Sequence, residues 1–406
     1  MVIFLSGFTP ADRLAQVEFS AVRKVLARAT QLQNEGRDII HLEIGEPDFD
    51  TPQLIIDNTV KALAVDKMTH YSSNMGDLGL RKNIATKLYK DSGIIADPNT
   101  EILVTVGAAE ALFAAIMAII NPGDEVILFS PAFLSYRNIV SMAGAIPVEI
   151  DLRPEDAFNI PLDELRCKIS EKTRMIVLNN PHNPSGMVFD EDSIRAVGEL
   201  ALERGIFVLS DEIYDEIIYE NATCFSLASL EEMKRLVITV NGFSKAYAMT
   251  GWRLGYVVAD KEIMPSILKV HQYSTNCVPT FLQIGVAESM LKEECLRDVE
   301  RMRQTFEERR SLLINLLSDI PSLRFIPGKG AFYILADISA FGLSDIDFAS
   351  RLLEEKGVAT VPGSGFGSNF KGHIRISYAA AADHITKGVT LLKELCAELD
   401  RGVDSL

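Results

Sequence analysis

The chain has 406 residues, 48% hydrophobic and 24% charged, a composition ordinary for a globular enzyme and a length beyond what one hydrophobic core holds, so two domains are expected. Lys+Arg 40 against Asp+Glu 56 gives a net charge of -16, which argues against nucleic acid or an anionic membrane as partner. Five scattered cysteines (Cys167, Cys224, Cys277, Cys295, Cys396) without metal-like spacing read as free thiols of a reducing cytoplasm. The stretch Met1–Gly7 is too short for a signal peptide, and no apolar run approaches the ~20 residues of a membrane span.

Apolar residues at helical spacing (Leu14, Val17, Val22, Leu26, Ala29, Leu32) predict an amphipathic helix over 14–32 that lies outside the main domain. Ile39–Gly45 reads as a short strand, and Glu46–Pro52 as a rigid turn. The glycine closing that strand, Gly45, would let a ligand approach the backbone. His70–Gly76 is a polar, aromatic loop in which Tyr71 is either a surface tyrosine or a donor to a ligand. A helix from Gly79 to about Ser92 follows.

From 101 to 260 the pattern is α/β. Strand-like runs fall at Ile102–Val106, Val126–Phe129, Ile146–Ile150, Met175–Asn179, Phe207–Ser210, Leu236–Val240 and Leu254–Ala259, with helical runs such as Ala109–Ile120 and Asp192–Arg204 between most of them. This alternation predicts one mostly parallel seven-stranded sheet covered by helices on both faces. A charged helical stretch over 287–316 then bridges to shorter runs at Leu323–Ile326, Ala331–Ile338, Val358–Val361 and Ile374–Ser377, which predict a smaller α+β domain. The expected division is 1–50 packing with the small domain, 51–286 as the large domain and 287–406 as the small one.

The polar residues that could do chemistry cluster after the central strands, where open α/β sheets bind ligands. Lys245 in Asn241-Gly242-Phe243-Ser244-Lys245 sits among apolar residues, a setting that lowers an amine's pKa and makes it a nucleophile. Arg253, eight residues on, offers a fixed cation suited to a phosphate. Asn183 lies in the proline-fixed loop Asn180–Gly186. Asp211 closes an apolar strand, either as a helix cap or as a carboxylate for a protonated ring nitrogen, with Tyr214 three residues later. Gly107-Ala108-Ala109 open a helix whose amides suit an anion.

A nucleophilic lysine, an acid for a ring nitrogen, a phenolic partner and a phosphate cradle are what pyridoxal 5′-phosphate requires. The ordered blocks YSSNMGDLGLR, VTVGAAEAL, NPGDEV, NNPHNPSG, SDEIYD, NGFSKAYAMTGWRLGY, GAFY and RISY resemble class I/II pyridoxal-phosphate aminotransferases of fold type I, in the branch of bacterial and archaeal aspartate and aromatic aminotransferases. The resemblance implies a transfer of an amino group from an L-amino acid to a 2-oxo acid, with 2-oxoglutarate as usual partner, in a cytoplasmic homodimer with shared active sites. Lys245 would carry the cofactor and then move the substrate proton. Asp211 would hold the pyridine nitrogen, Tyr214 and Asn183 the ring's 3-oxygen, and Phe133 would stack on the ring. Arg253, Ser244 and the backbone at Ala108 and Ala109 would meet the phosphate, with Tyr71 reaching the neighbouring subunit's. Arg375 would clamp the substrate α-carboxylate beside Gly45 and Asn183.

Two positions depart from common relatives. Gly242 stands where many carry a phosphate-binding serine, and Ala109 where some aspartate-preferring members carry a lysine. Lys269 and His271 lie in a segment that supplies a side-chain-recognising residue in some relatives. The same residue set would also serve a C–S β-lyase or a pyridoxal-phosphate oxidase. A non-catalytic regulator fits poorly, because the set of site residues is complete.

Overall fold

The computed structural model describes Thr9 and residues 11–403; the Met1–Gly7 stretch lies outside them. The first long helix is Ala21–Asn34, later than the periodicity suggests. The Ser20 hydroxyl accepts the Arg23 amide and caps the first turn, and among the described residues before it only a short 3-10 turn at Asp12–Leu14 is helical. β1 (Ile40–His41) is also shorter than expected.

The central alternation follows as predicted: β2 (Ile102–Thr105), β3 (Glu125–Ser130), β4 (Ile146–Asp151), β5 (Thr173–Asn179), β6 (Phe207–Asp211), β7 (Val237–Gly242) and β8 (Gly255–Val258). All seven form one sheet in the order β2-β8-β7-β6-β5-β3-β4, with β8 alone antiparallel to its neighbours. Alternate residues feed two cores. Val126, Leu209 and Ile238 face the helices 107–119 and 134–142 on one side, while Ile127, Ile176 and Val208 face helix 191–204 on the other. Two covered faces explain why β2, β6, β7 and β8 are buried at every position.

The charged stretch is the 26-residue helix Glu293–Ser318, preceded by a separate, uncharged helix Thr280–Ala287. Beyond them come β9 (Arg324–Phe325), β10 (Tyr333–Asp337), β11 (Val358–Ala359), β12 (Val361–Pro362) and β13 (His373–Ser377). The single strand expected over 358–361 is two. β11 pairs in parallel with β1, whereas β12 joins the antiparallel sheet β12-β13-β10-β9, so the chain changes sheets at Thr360. The first helix fastens to this C-terminal body. Arg28 binds Glu354 through Nε and Nη2 (2.6 and 2.9 Å), and Ala29 and Leu32 pack on Leu353 and Ala359.

No disulfide joins the five cysteines, and among the described residues no helix is long and apolar enough to cross a membrane. For the site, the decisive feature is that β5, β6 and β7 are adjacent and parallel. Their carboxyl ends therefore deliver the 179–186, 211–215 and 243–253 segments to one place, beside β13 of the C-terminal body.

Phe306 is fully buried where the bridging helix meets that body, with Phe49 (5.4 Å) and Phe332 (5.3 Å) against its ring. Phe306→Ala should cost about 3–5 kcal/mol, read as a lower urea midpoint; an unchanged midpoint would show that the Phe49 turn does not depend on this contact.

Candidate active site

Asp211 ends β6 almost fully buried. Its Oδ2 accepts the Tyr136 hydroxyl (2.6 Å) and its Oδ1 the Ile213 amide (3.2 Å). Burial lifts its pKa to about 6, against the opposing pull of Tyr136, the Ile213 amide and the nearby Lys245 charge. It is a carboxylate short of a cation. Tyr214, in the turn that follows, shares a hydrogen bond with the Tyr333 hydroxyl (2.9 Å) and meets Phe332 edge to face. Burial, reinforced by Tyr333, raises its pKa well above the ordinary value, so it stays neutral and able to donate.

Lys245 leaves the end of β7 with its Nζ donating to the Gly45 carbonyl (2.5 Å), and it lies 5.9 and 5.8 Å from the ring centres of Tyr214 and Phe332. Burial brings its pKa down to about 8; Glu46 and Asp211 oppose that shift, while Arg375 and Arg253 add to it. Such an amine is half neutral near pH 8 and keeps a neutral fraction near pH 7, which is the condition for a lysine nucleophile or base.

Arg375, on β13, is 3% exposed. Its Nη1 donates to Asn183 Oδ1 (3.0 Å) and its Nη2 to the Glu43 carbonyl (2.7 Å), while its plane lies over Tyr333 (4.2 Å) and Phe366 (4.9 Å). Its Nε is buried without a hydrogen-bond partner, a donor in want of an acceptor. Asn183 is held by its own amide on Asn179 Oδ1 (2.8 Å). Gly45 packs so closely on Tyr333 that any side chain there would overlap the hydroxyl.

Helix 107–119 starts at Gly107, which has φ +72; a Cβ there would lie 2.6 Å from Arg253 Nη2. The guanidinium thus sits over the opening turn of the helix, where the Ala108 and Ala109 amides are among the unsatisfied donors. Glu110 Oε2 takes the Val106 amide (2.5 Å) and orders that turn. Arg253 itself is exposed, in the left-handed conformation (φ 54), and among the described residues it bonds the Thr250 carbonyl (2.9 Å) and pairs with no carboxylate. A cation without a carboxylate partner beside open amides is an anion site. Ser244 is buried next to Lys245. Gly242 belongs to β7, where a Cβ would press at 3.0 Å on Gly255 Cα and the Leu254 carbonyl, so a side chain there would need the paired strands to give by a few tenths of an ångström.

The structure brings together Lys245, Asp211, Tyr214, Asn183, Gly45 and Arg375, with the Gly107–Ala109 turn and Arg253 alongside. Phe133 joins through its edge contact with Tyr136 (5.7 Å). Tyr71 stands apart, 85% exposed on its loop. His271 is turned away: fully buried, its Nδ1 binds Glu110 Oε1 (2.9 Å). Lys269 is exposed. Three residues that sequence reasoning passes over complete the shell: Tyr136 on Asp211, and Tyr333 and Phe366 around Arg375. Tyr136 is three residues after Phe133 and so on the same helix face, a readable signal. Phe366 carried none, because its partner is nine residues away across a loop.

Residues 37–389 match the family model "Aminotransferase class I and II". The chain is 40% identical to an aspartate aminotransferase of Pyrococcus abyssi, covering 96% of this chain and 98% of that one. It is 38% identical to aromatic-amino-acid aminotransferase 2 of Thermococcus litoralis at 96% and 98% coverage. A solved structure of Thermus thermophilus aspartate aminotransferase with maleate superposes with a TM-score of 0.91 at 36% identity, covering 95% of this chain and 99% of that one. The chain belongs to the class I and II aminotransferases, pyridoxal 5′-phosphate-dependent enzymes of fold type I.

Proposed function

We propose that this aminotransferase takes its amino group from an L-amino acid, aromatic, apolar or aspartate, and passes it to a 2-oxo acid, 2-oxoglutarate being the second partner, in a ping-pong sequence. The observation that carries this reading is the convergence of Lys245, with its lowered pKa, on Asp211, Tyr214 and Arg375. The residues fit the cofactor: Asp211 lacks a cation, Arg253 lacks an anion, and Arg375 Nε lacks an acceptor. When bound, pyridoxal 5′-phosphate supplies a ring that draws negative charge from the substrate α-carbon.

The chain's own residues do the rest. Asp211 holds a proton on the ring nitrogen, and Tyr136 keeps its carboxylate oriented. Tyr214 and Asn183 offer donors to the ring's 3-oxygen, and Phe133 covers the ring face. Arg253, Ser244 and the Ala108 and Ala109 amides receive the phosphate. Arg375 clamps the substrate α-carboxylate, with Gly45 at the same side, packed on Tyr333. Lys245 Nζ, once neutral, would move the substrate proton from the α-carbon to the cofactor's C4′ carbon.

The division into a large cofactor-binding domain (51–286), a small domain (287–406) and an N-terminal segment (1–50) packed on the latter is supported by the pairing of β1 with β11 and the Arg28–Glu354 ion pair. We further infer a cytoplasmic homodimer with shared sites. Tyr71 projects from its loop and Tyr273 (88% exposed) from the last turn of helix 264–274; the segments around them are tied by Thr280 Oγ1 to the His70 carbonyl (2.7 Å) and Asn74 to Asn276 (3.3 Å), with Val65 and Met68 exposed nearby. An apolar patch of this kind asks for cover. Mixing Lys245→Ala protein with an inactive Tyr71 variant should restore activity through hybrid dimers; full activity of a monomer at high dilution would contradict sharing.

Borohydride should fix the cofactor of the loaded enzyme to Lys245, in a peptide identified by mass. The rate of cofactor attachment should climb as pH rises through about 8, where the amine loses its proton. A labelled peptide at any other lysine would sink the assignment. Lys245→Ala should cost several orders of magnitude in kcat.

Substrate choice follows from what surrounds Arg375. Tyr333 and Phe366 flank it, Ala109 brings no charge, and His271 is committed to Glu110. We expect aromatic and apolar L-amino acids to match or exceed aspartate in kcat/KM, with glutamate also accepted. Arg375→Ala should weaken all donors alike, by about 2–5 kcal/mol. An aspartate preference of about a hundredfold, roughly 2.7 kcal/mol, would mean that a further cation reads its second carboxylate.

A further inference from the structure

The turn carrying Tyr214 and the strand carrying Lys245 are joined behind the site by a side-chain link. The backbone ladder between β6 and β7 runs to Asp211↔Val240 and ends with the Glu212 amide on the Val240 carbonyl (2.9 Å). Beyond that rung the two chains part, one towards Tyr214 and the other towards Lys245. Among the described residues no backbone hydrogen bond joins 213–216 to 241–245. Asn241 supplies the next rung from its side chain. Nearly fully buried, it donates from Nδ2 to Asp215 Oδ2 (2.9 Å), while its Oδ1 accepts the Gly242 amide (2.7 Å).

Asp215 directly follows Tyr214, and its amide donates to the Glu212 carbonyl (3.0 Å), so the turn is closed on itself before the side chain reaches across. Lys87, from helix 78–92, backs this arrangement. Its ammonium is buried and pairs with Glu216 and Asp91, both at 2.9 Å, placing a positive charge next to the Asp215 turn. The Oδ1 bond to Gly242 removes Asn241's freedom to rotate, which leaves its amide aimed at Asp215.

We propose that Asp215 and Asn241 are positioning residues for the reaction: their hydrogen bond sets where Lys245 stands relative to Tyr214, and with it the path of the proton Lys245 moves. This rests on the roles given above to Lys245 and Tyr214. Neither Asp215 nor Asn241 touches substrate or cofactor in this scheme, so the effect must pass through Lys245. Misplacement of a proton-transfer group by a fraction of an ångström to an ångström is costly, and the cost falls on kcat.

The test uses the loaded enzyme. Asn241→Ala should lower kcat by about ten- to hundredfold with KM little changed. It should also move the pH midpoint of the visible absorption band, which follows the proton on the Lys245 nitrogen. The exchanged pair Asp215→Asn with Asn241→Asp keeps both hydrogen bonds and should restore kcat and the midpoint together. Unchanged kcat and midpoint in Asn241→Ala, even with a lower Tm, would make the link structural only and overturn the proposal. Failure of the exchanged pair to restore a folded enzyme's kcat would show that the carboxylate's place beside Lys87 matters, and not the hydrogen bond. Asn241→Ala leaves the Asp215 carboxylate without its side-chain donor; should it fail to fold, Asp215→Ala, which removes both the link and that carboxylate, decides by the same two readouts. Borohydride trapping in the wild type separates the two levels: if the cofactor is not fixed to Lys245, the underlying roles fail before the link is in question.

Discussion

Three charged groups share one poorly hydrated site, and each is answered by a neutral dipole where an opposite charge would serve stability better. Asp211 has the Tyr136 hydroxyl, Lys245 the Gly45 carbonyl, and Arg375 the Glu43 carbonyl and the Asn183 amide. Removing charge from water without a matching ion is expensive, and the cost is visible in the raised pKa of Asp211 and the lowered pKa of Lys245. An ion pair between them would cancel that cost and leave an inert site. The fold holds them apart on β6, β7 and β13, so that opposite charges from outside the chain are what complete them.

That arrangement explains why so much of the site was legible in the sequence. Asp211 closes one buried strand and Lys245 follows the next by three residues, and strands covered on both faces announce themselves as apolar runs. The sequence therefore places both residues after consecutive strand-like runs, while Arg375 lies within β13. What the sequence hides is contact across layers. Tyr333 binds Tyr214 from 119 residues away, and Phe366 reaches Arg375 from a loop whose glycines say only that it turns. Element edges were hidden for a different reason. The run Val358–Val361 is uniformly apolar because both halves are buried, yet the halves belong to different sheets, and periodicity cannot report a change of partner. The first helix was read too long because Leu14 and Val17 continue the apolar period, while the Ser20 cap is a local hydrogen bond that overrides it.

The departures from common relatives also acquire physical reasons. Gly242 is a consequence of the β7–β8 pairing, whose backbone closes on that position. Arg253 has a left-handed backbone, and its guanidinium lies over Gly107 at the start of helix 107–119. Gly107 and Arg253 are thus one feature: the glycine can have no side chain because the arginine occupies that space.

The N-terminal strand carries this logic between the two halves of the molecule. β1 is only two residues long, but its pairing with β11 fixes the direction in which the chain leaves the C-terminal body. Three residues later the Glu43 carbonyl lies on Arg375, and two residues after that the Gly45 carbonyl lies on Lys245. The segment then crosses to the large sheet, where Thr51 donates to the Ala248 carbonyl (2.9 Å) and Asp48 pairs with Arg309 on the bridging helix. One peptide unit therefore lies between the carbonyl on Arg375 and the carbonyl on Lys245. Gly45 is in turn pressed against Tyr333, whose hydroxyl bonds Tyr214. The backbone from Glu43 to Gly45 thus meets both cations of the site with its carbonyls alone.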